Sequence, residues 1–169
     1  KKDVHEAIGT DEEKKLATIG FPKDLRSKNE KSKEVTSLLL MGHILPIIKS
    51  DKARSYFIES IQLINNFSDR IKIRLHPHER RPINEIEEFT KQHDLVISDD
   101  DLPFDIASAD YIFGANTSTL VEAASTGRHV FVFEELTKPN LSYEGTIPVK
   151  HQDLKDIINF DSNIEIDET

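Results

Sequence analysis

The sequence predicts an α/β fold, in which a parallel sheet is covered by helices on both of its faces. Short apolar runs of strand length alternate along the chain with stretches whose apolar residues keep helical spacing. Repeated strand–helix units of this kind join parallel strands. The runs are short and nearly all apolar, as is typical of strands that are buried on both faces.

The apolar runs predict six strands. The first, "VTSLLLM", ends at Gly42, and the second, "IKIRLHP", is stopped by Pro77, which lacks the N–H that a sheet needs. We expect strands over residues 35–41, 71–77, 95–97, 111–113 and 129–133, with a last one in "GTIPV" at 145–149.

The amphipathic stretches between these runs predict the helices. In the first stretch, four apolar residues keep helical spacing: Phe57, Ile61, Ile64 and Phe67. Pro82 stands near the first turn of the second, where proline is tolerated. We expect helices over residues 51–67, 83–93, 103–108, 119–126 and 152–160.

Composition limits the class of protein. The 169 residues can form one domain with a hydrophobic core. A net charge of −9 argues against a nucleic-acid backbone as the main partner. The absence of cysteine excludes disulfides and thiolate chemistry and fits a cytoplasmic protein. We expect a polar linker at 1–33, an α/β domain at 34–160 and an acidic tail at 161–169. Since the sequence begins at a lysine, we also expect it to be a fragment.

Three loops are candidates for a binding site. Ligands of open α/β sheets bind beyond the carboxyl ends of the strands. This rule selects the loops at residues 42–46, 76–81 and 114–119. Gly42 ends the first strand and would let a ligand or a facing domain come near.

The segment "GANTSTLVEAAS" at 114–125 joins a predicted strand to a predicted helix. Gly114 would let a ligand approach the backbone closely, and Thr117, Ser118 and Thr119 would surround a helix start whose N–H groups and dipole favour phosphate. Thr119 and Glu122 also fit a capping box, which requires no ligand. Both interpretations are compatible, since Ser118 could donate to a ligand while Thr119 caps.

The segment "RLHPHER" at 74–80 places His76 and Pro77 at a strand end. An imidazole there can donate to an anion or act as an acid. A His-x-His pair could bind a metal, but no third ligand with suitable spacing is evident, so we expect no metal. An ordinary surface turn is the alternative. The acidic segment at 98–103 could hold a divalent cation, but a loop that caps the next helix is favoured.

These motifs together resemble the C-terminal, donor-binding half of GT-B glycosyltransferases, which is Rossmann-like. Within that fold the chain is most similar to bacterial sialyltransferases and polysialyltransferases. His76-Pro77 matches their His-Pro motif, and Ser118-Thr119 matches their Ser-Ser/Thr motif. "GFP" at 20–22 is similar to their interdomain crossing, so that the resemblance covers about residues 20–160.

The resemblance implies a function. His76 would contact the phosphate or ribose of a CMP-sugar donor such as CMP-sialic acid, Ser118 and Thr119 its phosphate, and Glu122 a ribose. The acidic motif that supplies the catalytic base in this family is missing, since Asp99-Asp100 precedes Asp101 and not glycine. We therefore expect the base and the glycan acceptor site on a separate N-terminal domain. No cofactor is implied, and peripheral attachment of the full-length protein to the inner membrane stays open.

Other functions remain open at this point. A CDP-glycerol or polyol-phosphate transferase would use a related donor half. An epimerase acting on a UDP-sugar would need more acidic and basic residues near the cleft than the sequence offers. A nucleotide-binding module that keeps the fold without chemistry is a third alternative.

Overall fold

The computed structural model describes residues 34–80, 83–139, 141–150 and 153–154. The predicted linker, the acidic tail and nearly all of the predicted helix at 152–160 lie outside these described residues, as does Pro82. The predictions made for them are therefore untested.

Six parallel strands form one sheet in the order β3-β2-β1-β4-β5-β6. This confirms the predicted class. The strands are β1 (Thr36–Met41), β2 (Arg70–Arg74), β3 (Leu95–Ile97), β4 (Tyr111–Ala115), β5 (Val130–Phe133) and β6 (Ile147–Val149). The chain builds outward from β1 to β3 and then crosses to β4 on the other side of β1. The strand order therefore reverses between β1 and β4, and this reversal is the place where such sheets bind ligands.

Five α-helices connect the strands in the described part of the chain. They are α1 (Leu45–Lys49), α2 (Asp51–Ile64), α3 (Asn84–Gln92), α4 (Leu102–Ser108) and α5 (Thr119–Ser125). Short 3-10 turns follow β2 at Pro77–Glu79 and β5 at Glu134–Leu136. The short α1 and both 3-10 turns were not predicted, because segments of three to five residues are too short to show a helical period.

The two faces of the sheet carry separate hydrophobic clusters, which fits strands that are apolar on both sides. On one face, Leu39, Ile73 and Phe113 pack with Phe57 of α2 and Phe89 of α3. On the other face, Leu38, Leu40 and Ile112 pack with Ile106 of α4 and with Leu120 of α5, and Ala123 of α5 joins them. Helices therefore cover both faces, as predicted.

Several predicted boundaries were wrong: β4 runs to Ala115 and so contains Gly114, and two elements end three residues earlier than predicted. Helix α2 ends at Ile64 and not at Phe67, since Asn65 and Asn66 lead into a turn. Phe67 nevertheless packs edge-on against Tyr111, with ring centroids 5.1 Å apart. Strand β2 ends at Arg74, so His76 lies in the loop beyond it. Among the described residues, no helix is long and apolar enough to cross a membrane.

Candidate functional site

The three predicted loops lie at one edge of the sheet. Gly42 follows β1, His76 follows β2 and Ser118 follows β4. These three strands are parallel neighbours in the order β2-β1-β4, so their carboxyl ends meet at the same edge. The loops therefore flank the reversal of strand order between β1 and β4.

Gly42 and Gly114 allow parts of the chain itself to approach closely. A Cβ atom on Gly42 would lie 2.3 Å from the carbonyl oxygen of Asn116. One on Gly114 would lie 2.0 Å from the Leu40 carbonyl oxygen and 2.7 Å from the Leu120 side chain. Because the neighbours are mainly backbone atoms, they cannot move aside at low cost. The structure thus explains both glycines by packing between β1, β4 and α5, whereas we expected them to admit a ligand.

Three histidines form a cluster where β1 and β2 end. The ring of His43, in the loop after β1, lies 4.2 Å from that of His76, centroid to centroid. The ring of His78 lies 5.2 Å from that of His76 and 6.4 Å from that of His43. The sequence did not indicate that His43 belongs with His76, because 33 residues separate them and only the pairing of β1 with β2 brings them together.

A backbone hydrogen bond orients the ring of His76. The backbone N–H of His78 donates to Nδ1 of His76 at 3.3 Å, so the neutral ring carries its proton on Nε2. Burial lowers the pKa of His76, the neighbouring His43 and His78 lower it further, and Glu79 partly offsets the effect. The neutral ring therefore presents an N–H donor at Nε2.

Glu79 links the loops after β1 and β2. Its carboxylate accepts hydrogen bonds from the backbone N–H groups of Ile44 and Leu45, at 2.9 and 3.0 Å. These groups begin α1, whose own cap residue Ile44 offers no side-chain oxygen. Glu79 is buried and also lies 3.8 Å from Nδ1 of His43. We did not predict this role from the sequence, although Pro46 is typical of a helix start and indicates a helix that needs a cap.

The predicted capping box on α5 was wrong. Ser118 occupies the cap position, and Thr119 is the first helical residue. The residue three positions after the cap is then Val121, so Glu122 is one position too late to reach back to the cap. Thr119 instead pairs its hydroxyl with that of Thr117, at 2.5 Å, and Oγ1 of Thr117 accepts from the Thr119 N–H at 3.4 Å.

Ser118 and Glu122 lie on the same side of α5. Ser118 is exposed, and its hydroxyl makes no capping hydrogen bond. Glu122 is four residues later, so its side chain lies above that of Ser118 on the helix surface, and it is also exposed. Both side chains are thus accessible to a ligand at the edge of the sheet.

The loop before α5 is held by hydrogen bonds to the segment that follows β5. Asn116 adopts a left-handed backbone with φ of 57°, donates to the Leu136 carbonyl at 2.6 Å and accepts from the Lys138 N–H at 2.9 Å. Burial raises the pKa of the Tyr143 hydroxyl, and the backbone N–H groups of Asn116 and Thr117 partly offset this effect. The loop between β4 and α5 is thus tied by Asn116 to the segment that follows β5.

The acidic segment at 98–103 has a structural role. Asp101 caps α4 by accepting from the Phe104 N–H at 2.9 Å, as the sequence favoured. Asp105 is buried and binds Arg74 at 2.7 Å, and it also accepts from the Ser98 hydroxyl. Within the described ranges, no three His, Asp or Glu residues are arranged to hold a metal ion.

Two cavities lie near the carboxyl edge of the sheet. One of about 430 Å³ lies beside β6 and the connection from β5, and its lining includes Lys138, Tyr143 and Thr146. A smaller one of about 120 Å³ lies between the turn that carries Glu79 and helix α3. Tyr143 lines the larger cavity and packs against the hydrophobic cluster that includes Leu120 of α5.

Comparisons with protein families and with curated proteins do not indicate a function for this chain. No protein-family model matches the chain, and no match was found among curated proteins.

Proposed function

We propose that this chain is the donor-binding half of a bacterial glycosyltransferase that uses a CMP-sugar, with a CMP-sialic-acid-type sialyltransferase of capsule or lipooligosaccharide synthesis as the specific candidate. The proposal joins the resemblance of the His-Pro and Ser-Thr motifs to the positions of these residues in the fold. Its acceptor site and catalytic base would belong to an N-terminal domain.

One observation carries the proposal. His76 and Ser118 lie after β2 and β4, the two strands that flank β1, at the edge where the strand order reverses. Neighbouring strands lie about 4.8 Å apart, so the two strand ends are separated by roughly 10 Å. A ligand with a phosphate and a ribose could contact both loops. An N–H on Nε2 of His76 and the hydroxyl of Ser118 are the donors that such a phosphate needs.

The proposed mechanism is a direct displacement at the anomeric carbon. The base from the other domain would take the proton of an acceptor hydroxyl, whose oxygen forms the new bond as the nucleotide leaves. Negative charge grows on the departing phosphate, and hydrogen bonds from His76, Ser118 and Thr119 would stabilise it. Donors that bind this charge more strongly in the transition state than in the ground state accelerate the reaction.

Calorimetric titration of the chain with CMP, CDP and UDP tests the proposal. We expect CMP to bind most tightly, and we expect His76→Ala and Ser118→Ala each to weaken CMP about tenfold, the effect of losing one hydrogen bond to a charged group. Ser125→Ala is the matched control, because Ser125 is exposed at the other end of α5 and should leave the affinity unchanged.

Failure of all three nucleotides to bind would contradict the proposal, as would equal affinity of His76→Ala and the unchanged chain. A preference for CDP would favour the polyol-phosphate transferase instead. Turnover of CMP-sugar and CDP-polyol donors by the full-length protein then separates the two transferases from a module that only binds nucleotide.

A further inference from the structure

The histidine cluster contains a second imidazole that the proposed donor site does not use. The ring of His43 is in contact with that of His76, yet its side chain is 53% exposed. Its Nδ1 atom lies 3.8 Å from the buried carboxylate of Glu79. His43 thus has a carboxylate on one side and open solvent on the other.

The two imidazoles differ in what faces their Nδ1 atoms, and so in whether Nδ1 can carry a proton. Nδ1 of His76 accepts the backbone N–H of His78, so adding a proton to this nitrogen would bring two donors face to face. Nδ1 of His43 faces a carboxylate instead, and a proton on it would point towards a negative charge. In the described part of the chain, the titratable groups that lie beside His43 are His76, His78 and Glu79, and of these only Glu79 is an acid.

We propose that His43 is the charged partner of His76 in a two-imidazole oxyanion site, and that the Glu79 carboxylate is the positioning group for His43. Neutral His76 donates from Nε2, whereas His43 keeps one proton on Nδ1 towards Glu79, takes a second from solvent on Nε2 and so supplies positive charge. The identity of the ligand, the phosphate of a nucleotide donor, rests on the proposed function. The site itself requires only an oxyanion.

Glu79 is suited to this role because its two acceptor oxygens are already fixed. Each accepts one N–H at the start of α1, the helix that directly follows His43. The 3-10 turn that carries Glu79 begins immediately after His76. The carboxylate therefore ties the two loops together and is the counter-charge of a protonated His43.

Histidine NMR during titration with sulfate tests the site. Sulfate is the probe because it remains a dianion between pH 5 and 8 (approximate limits), whereas the phosphate of CMP titrates at about pH 6. At constant ionic strength, we expect sulfate to raise the apparent pKa of His43, and sulfate affinity to fall tenfold or more, roughly, from pH 6 to pH 8. His129 precedes β5, at the opposite edge of the sheet, and should not respond.

Variants separate charge from packing. His43→Gln should weaken sulfate and CMP about tenfold at pH 6 and abolish the pH dependence of sulfate binding, since the charge is lost. His43→Lys should bind sulfate with nearly the same affinity at pH 6 and pH 8, because its ammonium stays protonated. Glu79→Gln should reduce the response of His43 to sulfate, and Glu79→Asp should restore part of it.

The outcomes separate this inference from the proposed function. The inference is overturned if CMP binds to the unchanged chain and to His43→Gln with the same affinity, and if His43 does not respond to sulfate. If sulfate shifts His43 but no nucleotide binds, the oxyanion site is supported and the proposed function is contradicted. Circular dichroism identifies a Glu79 variant that fails to fold, and the exposed His43 variants then decide the result.

Discussion

At the scale of single residues, contacts between distant parts of the chain give the motif residues their roles. Gly114 looked like a place for a ligand to approach, but its missing side chain leaves room for Leu40 of β1 and for Leu120 of α5. Glu79 lies in a segment that could have been an ordinary surface turn, but it caps a helix that begins 34 residues earlier in the chain. In both cases a residue's neighbours in space decide its role.

Gly114→Ala should destabilise the fold strongly. The added methyl would lie 2.0 Å from a backbone oxygen in the middle of the sheet, so β1 and β4 would have to separate. We expect the free energy of unfolding to fall by about 3 kcal/mol or more, at the upper end of the cost of overpacking. Urea denaturation measures it.

Gly127→Ala is the control for this substitution. A Cβ atom there meets no atom within 4 Å, but the residue has a φ of +80°. Backbone strain alone should then cost about 1 kcal/mol. If both substitutions lowered the free energy of unfolding equally, contact between β1 and β4 would not be the reason that position 114 requires glycine.

At the scale of elements, the helix ends were predicted unequally. Asp101 stands directly before the apolar residues of α4, so local sequence was enough to indicate its cap. Helix α5 has Thr117, Ser118 and Thr119 in succession, and each could cap. The prediction placed the cap at Thr119 and not at Ser118, because the packing of Leu120 and Ala123 on the sheet sets where the helix begins.

Asp101→Ala should lower the free energy of unfolding by about 1 kcal/mol, the usual cost of losing a cap that accepts one backbone hydrogen bond. Thermal unfolding of the two chains measures the loss. Asp99→Ala is the matched control, since Asp99 is an exposed residue of the same loop and its loss should change stability by less than about 0.5 kcal/mol. The assignment of the cap would be wrong if Asp99→Ala cost more than Asp101→Ala.

At the scale of the whole molecule, stability should depend on the protonation of His93, the residue that caps the C-terminal end of α3. The Nε2 atom of His93 is buried, and in the part of the chain that the structure describes no group hydrogen-bonds to it. Burial lowers the pKa of His93, Arg54 lowers it further, and Asp94 partly offsets the effect. A proton on this ring therefore favours the unfolded chain.

The free energy of unfolding should thus decrease as the pH falls from 7.5 to 5.5 (approximate limits), a range that includes the ordinary histidine pKa of about 6.5. The folded pKa lies below the unfolded one, so the unfolded state binds the proton first and stability is greatest above both values. His93→Gln should show a smaller decrease than the unchanged chain in urea titrations at both pH values. His129→Gln should keep the full decrease, and the same slope in all three chains would contradict this role for His93.

Local sequence by itself determined the alternation of strands and helices, the parallel sheet and the three loops with polar residues at its carboxyl edge. These features follow from periodicity and from turn residues, which act over a few positions. Only the tertiary structure decided that Gly42 and Gly114 serve packing, that Ser118 stands at the cap position of α5 without a capping hydrogen bond, and that His43 joins His76. Those facts depend on which strands are neighbours, because pairing of β1 with β2 and β4 brings together residues that lie 30 to 75 positions apart.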